Sequence, residues 1–140
     1  MNFTMNISLD KGAFEPIREH PTDAGADLRT PIDFILWPHK SMLIDTGVHI
    51  ELPHNTVGLL TSKSGLYTKK KITSTGTIDE GYTGSIKVQL LNHSDEKAFF
   101  HTGDKITQLL IMPVEYVDFN IVDAISGGER GDNGFGSTGK

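Results

Sequence analysis

The chain has 140 residues, 36% of them hydrophobic and 22% charged, with a formal net charge of −5 and no cysteine. This length predicts a single domain with a sizeable hydrophobic core. The lack of cysteine excludes disulfides, thiolate catalysis and cysteine metal sites. The negative balance argues against binding to duplex nucleic acid, which depends on lysine and arginine contacts to phosphate.

The sequence offers no run of apolar residues long enough to cross a bilayer, so we expect no membrane association. The first residues, "MNFTMNISLDKG", lack a basic start followed by an apolar stretch, and we therefore expect no secretory signal. Together with the lack of cysteine, this favours a cytoplasmic location.

Short β-strands dominate the predicted elements. Apolar or β-branched runs of strand length occur in residues 41–52, 54–61, 84–91 and 105–119. The clearest alternation places Ile86, Val88 and Leu90 on one face and Lys87 and Gln89 on the other. Turn-forming stretches rich in Gly, Pro, Asn and Asp separate these runs. The pattern predicts an all-β barrel or sandwich.

Two segments depart from the strand pattern. Residues 62–70 are predicted to form no more than one or two helical turns, because Gly65 and Thr68 disfavour a longer helix. After Val122 the composition changes, and six of the fifteen glycines fall between Ile125 and Lys140. We therefore predict a β domain over residues 1–124 and a flexible arm over residues 125–140.

Several catalytic patterns can be set aside. His49 and Glu51 match half of the zinc deaminase signature, but the cysteine half cannot exist in this chain. The six histidines are scattered, with no pair at i and i+4 on a plausible helix. The basic stretch formed by Lys63 and residues 69–71 is either a solvated face or a contact surface for phosphate, and charge patterning alone leaves both open.

Five short glycine-bearing stretches carry the remaining polar chemistry. They are "DAGADL" at 23–28, "SKSGL" at 62–66, "GTIDEGYTG" at 76–84, "GDKITQ" at 103–108 and "RGDNGFGSTG" at 130–139. Any one of them alone is better interpreted as a turn. Glycine lets backbone N–H groups approach an anion closely, hydroxyls and cations complete its shell, and carboxylates suit a hydrated magnesium ion. The five together indicate a site for a polyphosphate.

In this order the five stretches resemble the motifs of the trimeric deoxyuridine triphosphatase (dUTPase) family. The resemblance runs from Asp23 to Gly139, and "RGDNGFGSTG" is its most specific part. It implies a distorted jelly-roll or β-clip fold and a homotrimer with active sites shared between subunits. It also implies Mg²⁺-dependent hydrolysis of dUTP to dUMP and pyrophosphate, which limits uracil incorporation into DNA and supplies dUMP for dTMP synthesis.

The resemblance also implies a role for each matching residue. Asp79 would bind the deoxyribose hydroxyl and orient or deprotonate the attacking water, while Tyr82 would lie against the sugar. Asp27 would help to hold hydrated magnesium. The implied contacts to phosphate come from Lys63, Ser64, Gln108, Arg130, Ser137 and Thr138, and the implied substrate-binding set also includes Ser62, Gly65 and Gly136. Backbone groups around Gly76 and Ile78 would read the uracil edge, and Phe135 would cover the uracil ring.

The chain departs from the family pattern at several of these positions. Lys63 and Lys105 stand where the family has arginine, and lysine keeps the charge but loses the bidentate fork. The other departures are Thr73, Gly81, Asp132 and Asn133. None removes a catalytic group. We interpret them as the mark of a divergent branch, with a phage or viral origin as our hypothesis.

Two alternatives stay open at this point. A dCTP deaminase would share the fold and the "IDxGxxG" hairpin, but it needs a glutamate where this chain has Gln89, which cannot act as a general base. A non-catalytic all-β module that binds a protein or regulatory partner would not need Asp79, Tyr82 and the carboxy-terminal stretch together.

Overall fold

The computed structural model describes residues 3–136, which contain ten β-strands and one helix. The strands are β1 (Ile7–Leu9), β2 (Ala26–Arg29), β3 (Phe34–Leu36), β4 (Ser41–Asp45), β5 (Val48–Ile50), β6 (Thr56–Thr61), β7 (Ile72–Ile78), β8 (Lys87–Asn92), β9 (Ala98–Phe100) and β10 (Lys105–Pro113). The helix, α1, spans Ser64–Lys70. The predicted all-β class is confirmed.

Six strands form the main sheet, in the order β2-β10-β6-β7-β8-β4, and every pair in it is antiparallel. The remaining strands form two antiparallel ribbons, β1 with β5 and β3 with β9. Strand β10 lies between β2 and β6 and is the longest, with nine residues. Because β10 pairs with both neighbours, it brings the residues that follow β6 close to the residues of β2.

The core follows from the alternation seen in the sequence. Ile86, Val88 and Leu90 are almost completely buried, whereas Lys87 is exposed, as the period of two predicts. Strand β4 shows the same period: Ile44 is buried, and Leu43 and Asp45 on either side of it are exposed. The other core side chains come from both ribbons and the main sheet, including Leu28, Leu36, Val48, Ile50, Leu60, Ile72, Ile78, Phe100, Ile106 and Leu109.

The helix has seven residues and no buried side chain, which agrees with the prediction of one or two turns. Lys71 caps the C-terminus of the helix: it adopts a left-handed conformation with φ of 56° and donates its backbone N–H to the Leu66 carbonyl. Lys69 and Lys70 lie in the last turn, where a positive charge is favourable beside the negative end of the helix dipole. The helix dipole thus explains the positions of Lys69 and Lys70 but not that of Lys63.

Beyond β10, residues 114–136 contain neither helix nor strand. Phe119, Ile121 and Ile125 are more than nine-tenths exposed, which is unusual for large apolar side chains. The boundary near residue 124 stays a prediction. Within residues 3–136, none of the helical structure is both long and apolar enough to traverse a bilayer.

Candidate active site

Side chains from three of the predicted stretches meet at one end of the main sheet. Asp27 of β2 lies opposite Gln108 of β10 in the strand register. The Gln108 amide nitrogen lies 3.2 Å from the carbonyl oxygen of Ser62, which directly follows β6. Lys63, the next residue, forms an ion pair with Asp27. We call Asp27, Ser62, Lys63 and Gln108 the carboxylate–lysine cluster.

Asp27 is only 4% exposed and is neutralised by two ammonium groups. Besides Lys63, the Nζ atom of Lys105 lies 3.3 Å from its second carboxylate oxygen. Lys105 also contacts Glu19 at 3.0 Å, and these two carboxylates raise the pKa of Lys105, with Glu19 as the larger cause. A buried carboxylate needs such partners, because an uncompensated buried charge is costly.

This arrangement limits how a metal ion could bind. Residues 3–136 hold no group of three or more His, Asp or Glu side chains placed to chelate an ion. Asp27 offers one carboxylate, and both of its oxygens contact lysines. Such a donor set does not suit a resident metal held by protein alone. It suits a hydrated magnesium ion that takes its remaining ligands from substrate phosphates.

The serines of the second stretch differ in how free their hydroxyls are. The Ser62 hydroxyl donates to the Ser74 carbonyl at 3.2 Å and accepts from the Ser74 N–H at 2.9 Å, so it extends the contact between β6 and β7. Ser64 and Gly65 are exposed at the start of α1. Ser64 and Gly65 are thus open to a ligand, whereas the Ser62 side chain already serves the fold.

Gly25 fixes the position of Gln108 through close packing. A Cβ atom at residue 25 would lie 2.8 Å from Cβ of Gln108 and 2.7 Å from its Oε1. We expect Gly25→Ala to destabilise the protein by about 1–3 kcal/mol, as overpacking usually does, and to displace Gln108. Urea unfolding checks the loss of stability, and the NMR signals of the Gln108 side-chain amide check its displacement. Gly65→Ala, which would meet nothing within 4 Å, is the stability control; equal stability of the two variants would contradict the expectation.

The third stretch forms the connection between β7 and β8. Gly76 lies in β7 against Leu60, where a Cβ would come within 2.6 Å of a leucine methyl group, and Ile78 ends the strand in the core. Asp79 follows directly and is exposed. The Tyr82 N–H donates to the Asp79 carbonyl at 3.0 Å in a tight turn. The structure therefore presents the carboxylate of Asp79 and the ring of Tyr82 to solvent on one loop.

Within one chain, this loop and the carboxylate–lysine cluster are separated along β7. Ser74 contacts Ser62 of the cluster, and Asp79 lies five residues further along the strand direction. At about 3.3 Å per residue, that separation is about 16 Å. The structure thus brings Asp27, Lys63 and Gln108 together but does not bring Asp79 and Tyr82 to them.

A cluster that sequence reasoning missed holds the loop beside Asp79. Glu80 accepts hydrogen bonds from the Asn55 N–H at 2.8 Å and the Tyr116 hydroxyl at 2.9 Å, and it contacts Nδ1 of His54 at 2.8 Å. These partners, His54 first, lower the pKa of Glu80 to about 2. Nothing in the local sequence pattern distinguishes Glu80 from a solvated surface residue.

The last stretch lies apart from both groups. The Asn133 N–H donates to the Arg130 carbonyl at 2.8 Å, which makes a turn, and Phe135 is fully exposed with φ of 47°. Gly136 is also exposed. Ser137 and Thr138 lie outside the described residues. The exposed side chain of Asp132 has no explanation in the structure.

The profile of the dUTPase family matches residues 13–139. The chain belongs to the dUTPase family. Its curated relatives include deoxyuridine 5'-triphosphate nucleotidohydrolases of Nocardia farcinica and Corynebacterium glutamicum, both 44% identical. The first alignment covers 94% of this chain and 82% of the relative, and the second covers 96% and 93%.

Solved dUTPase structures resemble the whole fold. A mutant dUTPase of Staphylococcus bacteriophage 80alpha with dUpNHpp is 31% identical, has a TM-score of 0.88 and covers 99% of this chain and 100% of its own. A mutant dUTPase from phage phi11 of S. aureus, whose structure reveals coordination of a structural Mg(II) ion, has 27% identity and a TM-score of 0.82 over 89% of this chain and 100% of its own. The jelly-roll-like dUTPase fold and the predicted family are therefore confirmed.

These comparisons also bear on the alternatives. The matched family and the named relatives are dUTPases rather than deaminases. The residue at the deaminase glutamate position, Gln89, lies in β8 opposite Leu43 and Thr75. The cytoplasmic location and the phage or viral origin stay predictions.

Proposed function

We propose that this dUTPase hydrolyses dUTP to dUMP and pyrophosphate, with water attacking the α-phosphorus. The observation that carries the proposal is the division of the motifs into two separate surfaces. One bears the lysine, serine and glutamine groups suited to phosphate, and the other bears a carboxylate beside an aromatic ring. Each surface has one part of the chemistry that the reaction needs, and the separation explains why one chain alone does not complete the site.

Asp79 is the proposed catalytic base. Its carboxylate is exposed on the loop after β7, so it can accept a proton from a water held between it and the α-phosphate. Attack forms the new P–O bond as the bond to the bridging oxygen breaks, and pyrophosphate leaves with that oxygen. Tyr82, whose hydroxyl is tied to the Ser85 carbonyl at 2.8 Å, offers its ring to the deoxyribose.

Phosphate binding falls to the other surface. Ser64, Gly65 and Gln108 supply uncharged donors, and Lys63 supplies a positive charge that stands where the family has arginine. Magnesium, bound with the triphosphate, supplies charge neutralisation of the phosphate oxygens. Asp27 would hold its water shell, and the ion pairs with Lys63 and Lys105 hold that carboxylate in place.

A homotrimer with shared sites completes the proposal. A second copy would bring its Asp79 and Tyr82 to the carboxylate–lysine cluster of the first, which a single chain cannot do. The exposed apolar side chains between residues 116 and 125 support assembly, because apolar patches of this kind usually mark a contact surface. Arg130, Phe135, Gly136, Ser137 and Thr138 would close over the bound nucleotide from the arm.

A nucleotide panel tests the activity. Pyrophosphate release is measured with dUTP, dTTP, UTP and dCTP, each with magnesium and with excess EDTA. We expect release from dUTP alone, and its loss with EDTA. A hairpin that pairs with the uracil edge rejects cytosine through unpaired polar groups, and Tyr82 leaves no room for a 2′-hydroxyl. Equal release from UTP, or ammonia released from dCTP, would contradict the proposal.

A further inference from the structure

The loop between β7 and β8, residues 79–86, lies outside the strand ladders. Backbone hydrogen bonds to Val48 and Thr46 hold Ile86, and side-chain contacts hold the residues before it. At its far end, the Ser85 hydroxyl donates to the Asp45 carboxylate, and the Gly47 N–H lies 3.0 Å from the same hydroxyl oxygen. At its middle, the carbonyl of Thr83 contacts a histidine of β5. Tyr82 lies directly before this anchor.

That histidine is His49, part of the "HIE" stretch that no zinc chemistry explains. Its side chain is 28% exposed. Nδ1 lies 2.8 Å from the Thr83 carbonyl oxygen, and Nε2 lies 3.0 Å from an oxygen of Asp10, in the turn after β1. The ring thus joins the turn after β1, in the β1–β5 ribbon, to the loop that carries Asp79 and Tyr82.

Both partners of His49 offer an oxygen atom to the ring. A carbonyl oxygen and an ionised carboxylate can only accept hydrogen bonds. A neutral imidazole has one N–H donor, so one of its nitrogens would face an acceptor with a lone pair. Only the imidazolium, with two N–H groups, satisfies both contacts.

We propose that His49 acts as an imidazolium and is a positioning residue, which fixes the loop at Thr83 and so sets where Asp79 and Tyr82 meet the substrate. The proposal rests on the proposed function for its catalytic consequence. His49 touches no substrate in this scheme and acts only through the loop. Its structural part, a cationic ring between Thr83 and Asp10, stands without that function.

The surrounding charges favour the cation. The Thr83 carbonyl, followed by the Asp10 carboxylate and the more distant Asp45, raises the pKa of His49 above its ordinary 6.5. Lys87 of β8 lies beside Asp45 in the strand register and offsets part of its charge. Because the folded pKa is raised, the stabilising contribution is complete below about pH 6.5 and is lost as the pH rises through the folded value.

Three proteins test the proposal: wild type, His49→Gln and Asp10→Asn. The asparagine amide of Asp10→Asn can donate a hydrogen bond to Nε2. A neutral ring with its N–H on Nδ1 then satisfies both the Thr83 carbonyl and the amide at position 10. We therefore expect kcat/KM for dUTP in wild type to fall as the pH rises through the pKa of His49, and that fall to be absent or shifted to lower pH in Asp10→Asn. His49→Gln should lose about 10- to 100-fold in kcat/KM, the effect of a misplaced reacting group.

A titration by NMR, with the His49 signal assigned by its loss in His49→Gln, gives a readout that does not depend on activity. We expect a pKa above 6.5 in wild type and a lower pKa in Asp10→Asn. A wild-type pKa at or below 6.5, an unchanged pKa in Asp10→Asn, or wild-type kcat/KM in His49→Gln would each overturn the proposal. If wild type released no pyrophosphate, the proposed function would fail, while the titration would still decide the state of His49.

Discussion

Replacement of Asp79 by asparagine is expected to lower the rate of pyrophosphate release from dUTP by about 10²–10⁴-fold, the usual contribution of a positioned general base. Asparagine keeps the shape of the side chain but cannot take the proton of the attacking water. Since Asp79 is exposed and its side chain makes no hydrogen bond within residues 3–136, the fold should be unaffected. Single-turnover measurements with saturating enzyme report the chemical step directly.

The control for this experiment is Asp95→Asn. Asp95 lies in the turn between β8 and β9, with a side chain that is 97% exposed and contacts Nε2 of His39 at 2.7 Å. Such an exposed pair contributes little stability, so the substitution removes the same charge away from both proposed surfaces. We expect wild-type turnover from the control and an unchanged melting temperature for both variants. Wild-type turnover by Asp79→Asn would remove Asp79 from its proposed role. A loss in both variants would point to net charge rather than to a base.

The sequence predicted the strand faces well where alternation was regular, because burial on one face of a sheet imposes a period of two. In β8, Val88 and Leu90 are buried as that period requires. The pairing order could not be predicted, because β2 and β10 are distant in the chain and meet only through tertiary packing. Leu43, an apolar residue in a predicted strand, proves to be 57% exposed.

The candidate site shows the same division between local pattern and tertiary contact. The motifs identified Asp27, Lys63 and Gln108 individually, and the structure brings these three together. The motifs did not reveal that Lys105 shares Asp27 with Lys63. Nor did they reveal the anchor at Glu80, since its partners come from segments with no sequence signal linking them to it.

The separation between the Asp79 loop and the carboxylate–lysine cluster has a consequence for assembly. If the active site forms only between copies, dilution that separates the subunits should abolish turnover without unfolding each chain. The exposed apolar residues Phe119 and Ile121 lie just before the arm and Ile125 begins it, so the same contact that joins the copies would carry the arm toward a neighbouring site. Assembly and closure of the arm are in this view linked.

Deletion of residues 126–140 is expected to leave the β domain folded and to reduce turnover of dUTP by at least about 10³-fold. This is the lower end of what one arginine supplied to a transferring phosphoryl group contributes, and the deletion removes Arg130 together with the other arm groups. Closure of an arm also excludes water, which strengthens the electrostatic contacts inside the site. Circular dichroism and light scattering check the fold and the assembly, and pyrophosphate release measures turnover.

A matched control separates the chemistry of the arm from its length. In this control, residues 126–140 are replaced by a glycine–serine segment of the same length, which lacks Arg130 and Phe135. If these side chains act on the nucleotide, the replacement should be as inactive as the deletion. The variant Asp132→Asn removes only the unexplained charge, and its pyrophosphate release should match that of wild type. Full activity of either the deletion or the replacement would show that the arm does not close the site, because the β domain would then bind and hydrolyse dUTP without it.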